Sequence, residues 1–334
     1  MTPAMRRLLA AGIVMAVCAG FDALLAAENA PLVLESQVPL GDVRGRIDHL
    51  AVDLNRKRLF VAELGNDSVG VVDLAAGKLL RRIAGLREPQ GVGYVPSIDA
   101  LYVANAGDGS VRIFDGEDFA PAGRIDLGED ADNVRVDLAA NVAFVGYGAG
   151  ALAVIDPMTR KKIADVALKA HPEGFQIGGG TNQVFVNLPN TRSIAVIDRA
   201  SGQQGASWAT GDVTGNFPMA LDEANRRVVV VFRSPARLAI FAMTTGEKVA
   251  ERDTCGDSDD VFMDAKRKRI YVSCGDGFVD AFDAEGPSYR RLARIPTAPG
   301  ARTSLFIPAM DRFAVAVRAT AAQPAAIWIY RAVP

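Results

Sequence analysis

Polar residues recur along this chain with an almost constant spacing. Seven positions, separated by 42, 42, 41, 44, 42 and 43 residues, carry Asp48, Gln90, Asp132, Glu173, Phe217, Asp259 and Arg302. We call these seven the ring residues, and their neighbours add His49, Asn133, His171, Asn216 and Asp260. Both histidines of the chain belong to this set. Core positions would be apolar, so the pattern predicts one polar binding site built from equivalent positions.

Carboxylates brought together in a partly desolvated site raise one another's pKa or require a counter-cation. Arg302 follows Asp259 in the order of the repeats and precedes Asp48 if the repeats close on themselves. We therefore expect Arg302 to bridge both carboxylates. The other half of the ring has no such cation, although Arg135 is near in sequence.

The strongest candidate site is consequently the group formed by Asp132, Asn133, His171 and Glu173. Carboxylate and amide oxygens would suit a divalent cation such as Ca²⁺ or Mg²⁺, and coordination by His171 would favour a transition metal. The predicted metal ligands are Asp132, Glu173 and His171. The same groups could instead bind a ligand amine or act as general acid and base. Alternatively, they are ordinary loop and turn residues.

The elements that position these residues follow from a second repeat. Apolar triplets, most of them ending in Asp, recur in steps of 42, 41, 42, 44, 41 and 47 residues, at 71–73, 113–115, 154–156, 196–198, 240–242, 281–283 and 328–330. A fixed period of this size, filled with strand-like segments, is typical of a β-propeller with four strands per blade. The sequence therefore predicts an all-β, seven-bladed propeller. Its innermost strands would line a central channel and place the ring residues at the mouth.

The second repeat shows the predicted blade most clearly. Its strands are expected at 92–95, 100–105, 110–115 and 123–127, separated by Pro and Gly/Asp turns. The last repeat has only three expected strands, at 304–307, 312–317 and 325–330. We expect residues 32–39 to supply the fourth, because pairing the two chain ends would close the ring and cover its exposed edges.

The second strand of this repeat also carries a family resemblance. Tyr102-Val103-Ala104-Asn105 resembles the Tyr-Val-Thr-Asn repeat of bacterial surface and periplasmic propellers, the YncE-like or YVTN-repeat family, and the segments at 271–273 and 185–187 are weaker copies. The resemblance covers nearly all of residues 28–334. It implies the propeller fold and export, and it implies no particular chemistry.

Residues 1–27 differ in character from the repeats. Arg6 and Arg7 precede an apolar stretch at 8–19, and small residues follow up to Ala27. This order is typical of a secretory signal peptide, which predicts a propeller of residues 28–334 in the periplasm or secreted. The apolar stretch is too short to span a membrane, so we expect no transmembrane segment in the mature chain.

Export would leave Cys255 and Cys274 in an oxidising compartment, where a structural disulfide is the favoured reading over a redox pair or metal ligands. The formal net charge of −2 provides no basic surface for nucleic acid. We therefore expect a monomeric binding or scaffold protein that recognises a small molecule, a cation or a periplasmic protein at the channel mouth. The catalytic residues of any reaction stay unassigned.

Two other functions are compatible with the sequence. One is a metal-dependent hydrolase or lyase, because the polar ring is similar in kind to six-bladed lactonases, which surround a central cation with acidic and amide residues. The blade number differs from theirs, so no residue role is carried over. The other is an accessory subunit of a periplasmic redox system, since related seven-bladed propellers serve quinoprotein and cytochrome systems.

Overall fold

The computed structural model describes residues 30–334. These residues form seven four-stranded antiparallel sheets, so the predicted all-β, seven-bladed propeller is confirmed. The predicted signal peptide, residues 1–27, lies outside the described residues. The four helices in the described part are 3₁₀ turns of three residues each: Leu64–Asn66, Pro96–Ile98, Pro189–Thr191 and Pro308–Met310. None of them is long and apolar enough to cross a membrane.

Each of the first six blades is continuous in sequence and is ordered from the channel outwards. The chain begins with β1 (Leu32–Gly41). Blades 1 and 2 consist of β2 (Leu50–Asp53), β3 (Arg58–Glu63), β4 (Ser68–Asp73), β5 (Lys78–Ala84), β6 (Pro89–Val95), β7 (Ala100–Asn105), β8 (Ser110–Asp115) and β9 (Pro121–Asp126). Blades 3 and 4 consist of β10 (Ala131–Asp137), β11 (Val142–Tyr147), β12 (Ala151–Asp156), β13 (Lys161–Ala167), β14 (Phe175–Ile177), β15 (Gln183–Leu188), β16 (Ser193–Asp198) and β17 (Gln203–Ala209).

The remaining blades follow the same order. Blades 5 and 6 consist of β18 (Thr214–Asp222), β19 (Arg227–Ser234), β20 (Ala236–Ala242), β21 (Lys248–Asp253), β22 (Ser258–Asp264), β23 (Arg269–Cys274), β24 (Phe278–Asp283) and β25 (Arg291–Pro296). Blade 7 contains β26 (Ser304–Ile307), β27 (Arg312–Val317) and β28 (Ala325–Ala332).

Strand β1 lies at the outer edge of blade 7. It pairs antiparallel with β28, with Leu32 opposite Ala332 and Val38 opposite Ile327. The structure thus places residues 32–41 where the sequence analysis expected a strand at 32–39. The contribution of this pairing to closure of the ring stays a prediction.

The strands of blade 2 agree with the predicted bounds in part. β7 and β8 have the predicted bounds, whereas β6 begins at Pro89 rather than at Val92. A register shift between Pro89 and Val92 separates the early part of β6 from the regular pairing. That shift interrupts the alternation of side chains from which a strand is recognised, so the first residues of β6 were missed.

The core lies between the blades. Each sheet has a neighbour on both faces, so its middle strands are apolar throughout rather than alternating. All six residues of β7 are buried. Val69 and Val71 of blade 1, for example, pack in one cluster with Val92 and Leu101 of blade 2. This packing fixes each blade against the next and thereby sets the positions of the inner strands.

Candidate functional site

The seven ring residues all line one cavity, which we call the polar cavity. It has a volume of about 250 Å³ and receives side chains from all seven blades. Four of the neighbouring residues predicted for the site also line it: His49, Asn133, His171 and Asp260. The repeat therefore brings together residues that are up to 254 positions apart, from Asp48 to Arg302.

Asn216 differs from the prediction. Its side chain is buried, and its amide nitrogen donates hydrogen bonds to Asn187 Oδ1 at 3.2 Å and to the Ser193 carbonyl at 3.0 Å. The residue joins blades 4 and 5 and does not line the polar cavity. A one-residue displacement along an inner strand sends a side chain to the opposite side, which explains the difference between Asn216 and its neighbour Phe217.

Glycines allow the inner strands to approach closely below the ring residues. A Cβ atom on Gly91 would lie 2.0 Å from the Asp132 carbonyl oxygen, and one on Gly174 would lie 2.4 Å from the Phe217 carbonyl oxygen. The Gly174 N–H instead donates to that Phe217 oxygen at 3.0 Å. Close packing of the strands thus draws the ring residues into a small cavity.

On the side of blades 5 to 7, arginines neutralise the carboxylates. Arg302 Nε lies 2.9 Å from Asp259 Oδ2, and its Nη1 lies 2.8 Å from Asp257 Oδ1. Arg233 also pairs with Asp259, and its guanidinium carbon lies 3.7 Å from the centre of the Phe217 ring. Arg302 therefore meets Asp259 as predicted.

The predicted second bridge, from Arg302 to Asp48, is wrong. The Arg302 guanidinium is already engaged by two carboxylates of blade 6, and Asp48 Oδ2 instead lies 2.7 Å from Arg46 Nη2. Arg46 stands two residues before Asp48, which keeps this pair within blade 1. A basic residue so close in sequence was the signal that could have identified it.

On the side of blades 3 and 4, histidines take the place of arginines. Asp132 lies between them, with its Oδ1 3.9 Å from His49 Nε2 and its Oδ2 3.8 Å from His171 Nε2. The Nδ1 of His171 donates to the Gly148 carbonyl at 2.7 Å. The Asp132 carboxylate raises the pKa of His171 to about 9. Because 3.8 Å exceeds hydrogen-bonding reach, we attribute this effect to charge attraction.

Four carboxyl groups of the polar cavity have raised pKa values, and for Asp130 burial is the main cause. Burial raises the pKa of Asp48 to about 8 and that of Asp260 to about 7. Burial and then the Asp132 carboxylate raise the pKa of Glu173 to about 8. The polar cavity can therefore exchange protons near neutral pH, a property that is common in functional sites.

Two buried acceptors on blade 3, Asp132 Oδ1 and Asn133 Oδ1, have no hydrogen-bond partner within the described residues. Glu173 of blade 4 lines the same cavity. Unpaired acceptors of this kind cost free energy unless a donor reaches them, and each of them belongs to a residue that lines the polar cavity.

Four further polar residues line the polar cavity, and the sequence analysis did not assign them to the site: Arg46, Asp130, Gln176 and Arg233. Arg135, noted only for its position in sequence, also lines it. In residues 30–334, no group of three or more His, Cys, Asp and Glu side chains is arranged to hold a metal ion. The metal set of Asp132, Glu173 and His171 thus gains no support and stays a prediction.

Cys255 and Cys274 form a disulfide inside blade 6. Their Cα atoms are 5.8 Å apart, and both residues are buried. Cys255 precedes β22 and Cys274 ends β23. The bond therefore joins the segment entering the blade to the end of its second strand.

No family model and no curated protein matches the chain. Among solved structures, it is similar to hydrazine synthase of Kuenenia stuttgartiensis, with 17% identity and a TM-score of 0.73 over 83% of this chain and 95% of that chain. It is also similar to a chain in a crystal structure of a mitotic checkpoint complex, with 14% identity and a TM-score of 0.75 over 88% of this chain and 91% of that chain. These likenesses show the propeller fold alone, and membership of the YncE-like family stays a prediction.

Proposed function

We propose that this protein is an exported binding protein whose polar cavity takes a small organic ligand with an ammonium group. The observation that carries the proposal is a pair of buried acceptors without donors on blade 3, Asp132 Oδ1 and Asn133 Oδ1, in a cavity that Glu173 of blade 4 also lines. An ammonium group has only donors and a positive charge. It would donate to these oxygens and offset the negative charge of the Asp132 carboxylate.

The distribution of charge supports a ligand on this side of the polar cavity. Asp48 and Asp259 already have arginine partners. Asp132 has only the two histidines, at 3.8 and 3.9 Å. A cationic ligand would therefore gain most by lying against blades 3 and 4, with its remaining atoms directed to Phe217 and Arg233.

The volume sets the size of the ligand. A cavity of about 250 Å³ corresponds to roughly eight water molecules at about 30 Å³ each. This space suits a molecule of a few carbon atoms and excludes a peptide segment with large side chains. The proposal thus favours a small amine over the protein partner that the sequence also allowed.

Export is part of the proposal and rests on two observations. Residues 1–27 have the order of a secretory signal peptide. The disulfide between Cys255 and Cys274 suits an oxidising compartment. Fractionation of cells that express the full chain would test export directly, because a cytoplasmic location of the processed or unprocessed protein would contradict it.

Calorimetric titration with matched small molecules tests the binding proposal. We expect 4-aminobutanol to bind at pH 7 and the uncharged 1,4-butanediol to bind at least about tenfold more weakly, because a hydrogen bond to a charged group contributes about 1.5 to 3 kcal/mol. Asp132→Asn should weaken amine binding, and Glu173→Gln should weaken it as well, because the positive charge of a bound ammonium group favours ionisation of Glu173. The exposed Glu247 offers a control, and Glu247→Gln should leave binding unchanged.

Two results would overturn the binding proposal. One is the absence of saturable binding by any amine, and the other is equal binding of 1,4-butanediol. Repeating the titration after treatment with a chelator separates direct amine binding, which should persist, from binding through a metal ion. The hydrolase and redox alternatives rest on no contact within the polar cavity, so we propose no reaction.

A further inference from the structure

A second cavity lies deeper in the channel, and we call it the apolar cavity. It has a volume of about 570 Å³. The polar cavity is lined by residues at the beginning of the inner strands. The apolar cavity is lined by residues further along the same strands, which include Val52, Val92, Val136 and Leu305. The volume is within the range of about 300 to 1,000 Å³ that is usual for small-molecule sites.

Five residues line both cavities and separate them: His49, Arg135, Gln176, Asp260 and Phe262. These five residues, four of them polar or charged, form the floor of the apolar cavity. At the opposite end of the apolar cavity, Leu54 and Leu138 are 48% and 71% exposed. The cavity therefore changes from charged at the floor to apolar at its open end.

Arg135 is the most unusual group of the floor. Its Nη1 donates to the carbonyl of the adjacent Val134 at 3.0 Å, and its guanidinium carbon lies 5.7 Å from the centre of the Phe175 ring. Among residues 30–334 it forms no ion pair within 4.0 Å, and Asp260 and Asp132 act on it only through longer-range charge attraction. Burial lowers its pKa.

A guanidinium group has five N–H donors, and the contacts of Arg135 engage few of them. Arg135 is half-buried, and a charge that is partly removed from water without a close partner is costly. A carboxylate is its natural partner because the two groups match in charge and in planar geometry. The guanidinium group of Arg135 could therefore bind an anion at the floor of the apolar cavity.

We propose that the apolar cavity binds an amphipathic monocarboxylate of the medium-chain fatty acid class. Its carboxylate contacts Arg135, and its alkyl chain lies along Val52, Val136 and Leu305 towards Leu54 and Leu138. The apolar lining supplies affinity through burial of the chain. The charge of Arg135 selects an acid over an alcohol or an amine.

A ligand series on the unaltered protein provides the first test. Decanoate, decanol and decyltrimethylammonium share the same chain length and differ in head group. We expect decanoate to bind saturably at one site and at least about tenfold more tightly than decanol, with the cationic compound binding most weakly. Equal binding of decanoate and decanol, or no saturable binding of decanoate, would overturn the proposal.

Two substitutions provide the second test. Arg135→Gln should abolish the preference for decanoate over decanol, and Val136→Phe should weaken both ligands by filling the apolar cavity. Leu80 is exposed on the outermost strand of blade 1, so Leu80→Phe serves as the control and should change neither affinity. Circular dichroism melting curves verify that each variant is folded. Decanoate binding that is unaltered in folded Arg135→Gln and Val136→Phe would place the ligand elsewhere and overturn the proposal.

Discussion

Replacing Glu173 by Gln should make the stability of this protein less sensitive to pH. In the folded chain, burial and the Asp132 carboxylate raise the pKa of Glu173 from 4.5 to about 8. Between these two values the folded state holds a proton that the unfolded state has lost, so the free energy of unfolding falls as the pH rises. Glutamine resembles the protonated acid and cannot ionise. The free energy of unfolding of the Gln variant therefore does not fall through this residue as the pH rises.

The magnitude follows from the size of the pKa difference. Each pH unit between the folded and unfolded pKa values corresponds to about 1.4 kcal/mol, which gives about 5 kcal/mol for a fully buried group. Glu173 is only half-buried, and solvent screens part of the effect. We therefore expect Glu173→Gln to be close to the unaltered protein in stability at pH 5 and more stable by about 2 to 3 kcal/mol at pH 9.

The assay is urea unfolding at both pH values, followed by the fluorescence of Trp208 and Trp328. The matched substitution of the exposed Glu247, Glu247→Gln, should alter stability by the same amount at pH 5 and pH 9. The reasoning is refuted if Glu173→Gln also changes stability equally at the two pH values, because the carboxylate would then carry no cost of ionisation.

Three further predictions concern the scaffold. Gly91→Ala should lower the free energy of unfolding in urea by about 3 kcal/mol, because the new Cβ would lie 2.0 Å from a carbonyl oxygen of blade 3. Gly286 has open space around it, so Gly286→Ala should change this free energy little. Reduction of the bond between Cys255 and Cys274, which are 19 residues apart, should cost about 3 kcal/mol, and an unchanged melting curve under reductant would contradict this. Deletion of residues 330–334 removes part of the pairing with β1, so the melting temperature of the whole domain, measured by calorimetry, should fall. An unchanged melting temperature would show that this pairing does not stabilise the ring.

The fold was predictable because every blade repeats the same local pattern. Apolar strand segments separated by Gly, Asp and Pro turns specify hairpins from nearby residues alone. β7, β8, β26 and β27 accordingly have the predicted bounds. The early part of β6 was missed because its pairing with β7 is irregular, which interrupts the alternation of side chains that marks a strand in a sequence.

The seven ring residues of the candidate site were predictable, whereas the exclusion of Asn216, the further lining residues such as Arg46 and Arg233, and the charge pairing were not. Equivalent positions in a ring of blades must face one channel, so the seven ring residues could be grouped before any contact was known. Which cation meets which carboxylate depends on side-chain reach and packing. Arg46 rather than Arg302 therefore meets Asp48, and the two histidines meet Asp132.

The periodicity of the sequence specifies the number of blades, the order of their strands and the seven ring residues, because each repeat carries this pattern locally. Tertiary packing settles which oxygens are left without donors, how far burial raises the pKa values of Asp48 and Glu173, and how the channel divides into a polar and an apolar cavity. Burial and charge pairing depend on atoms from several blades at once. No single repeat contains that information.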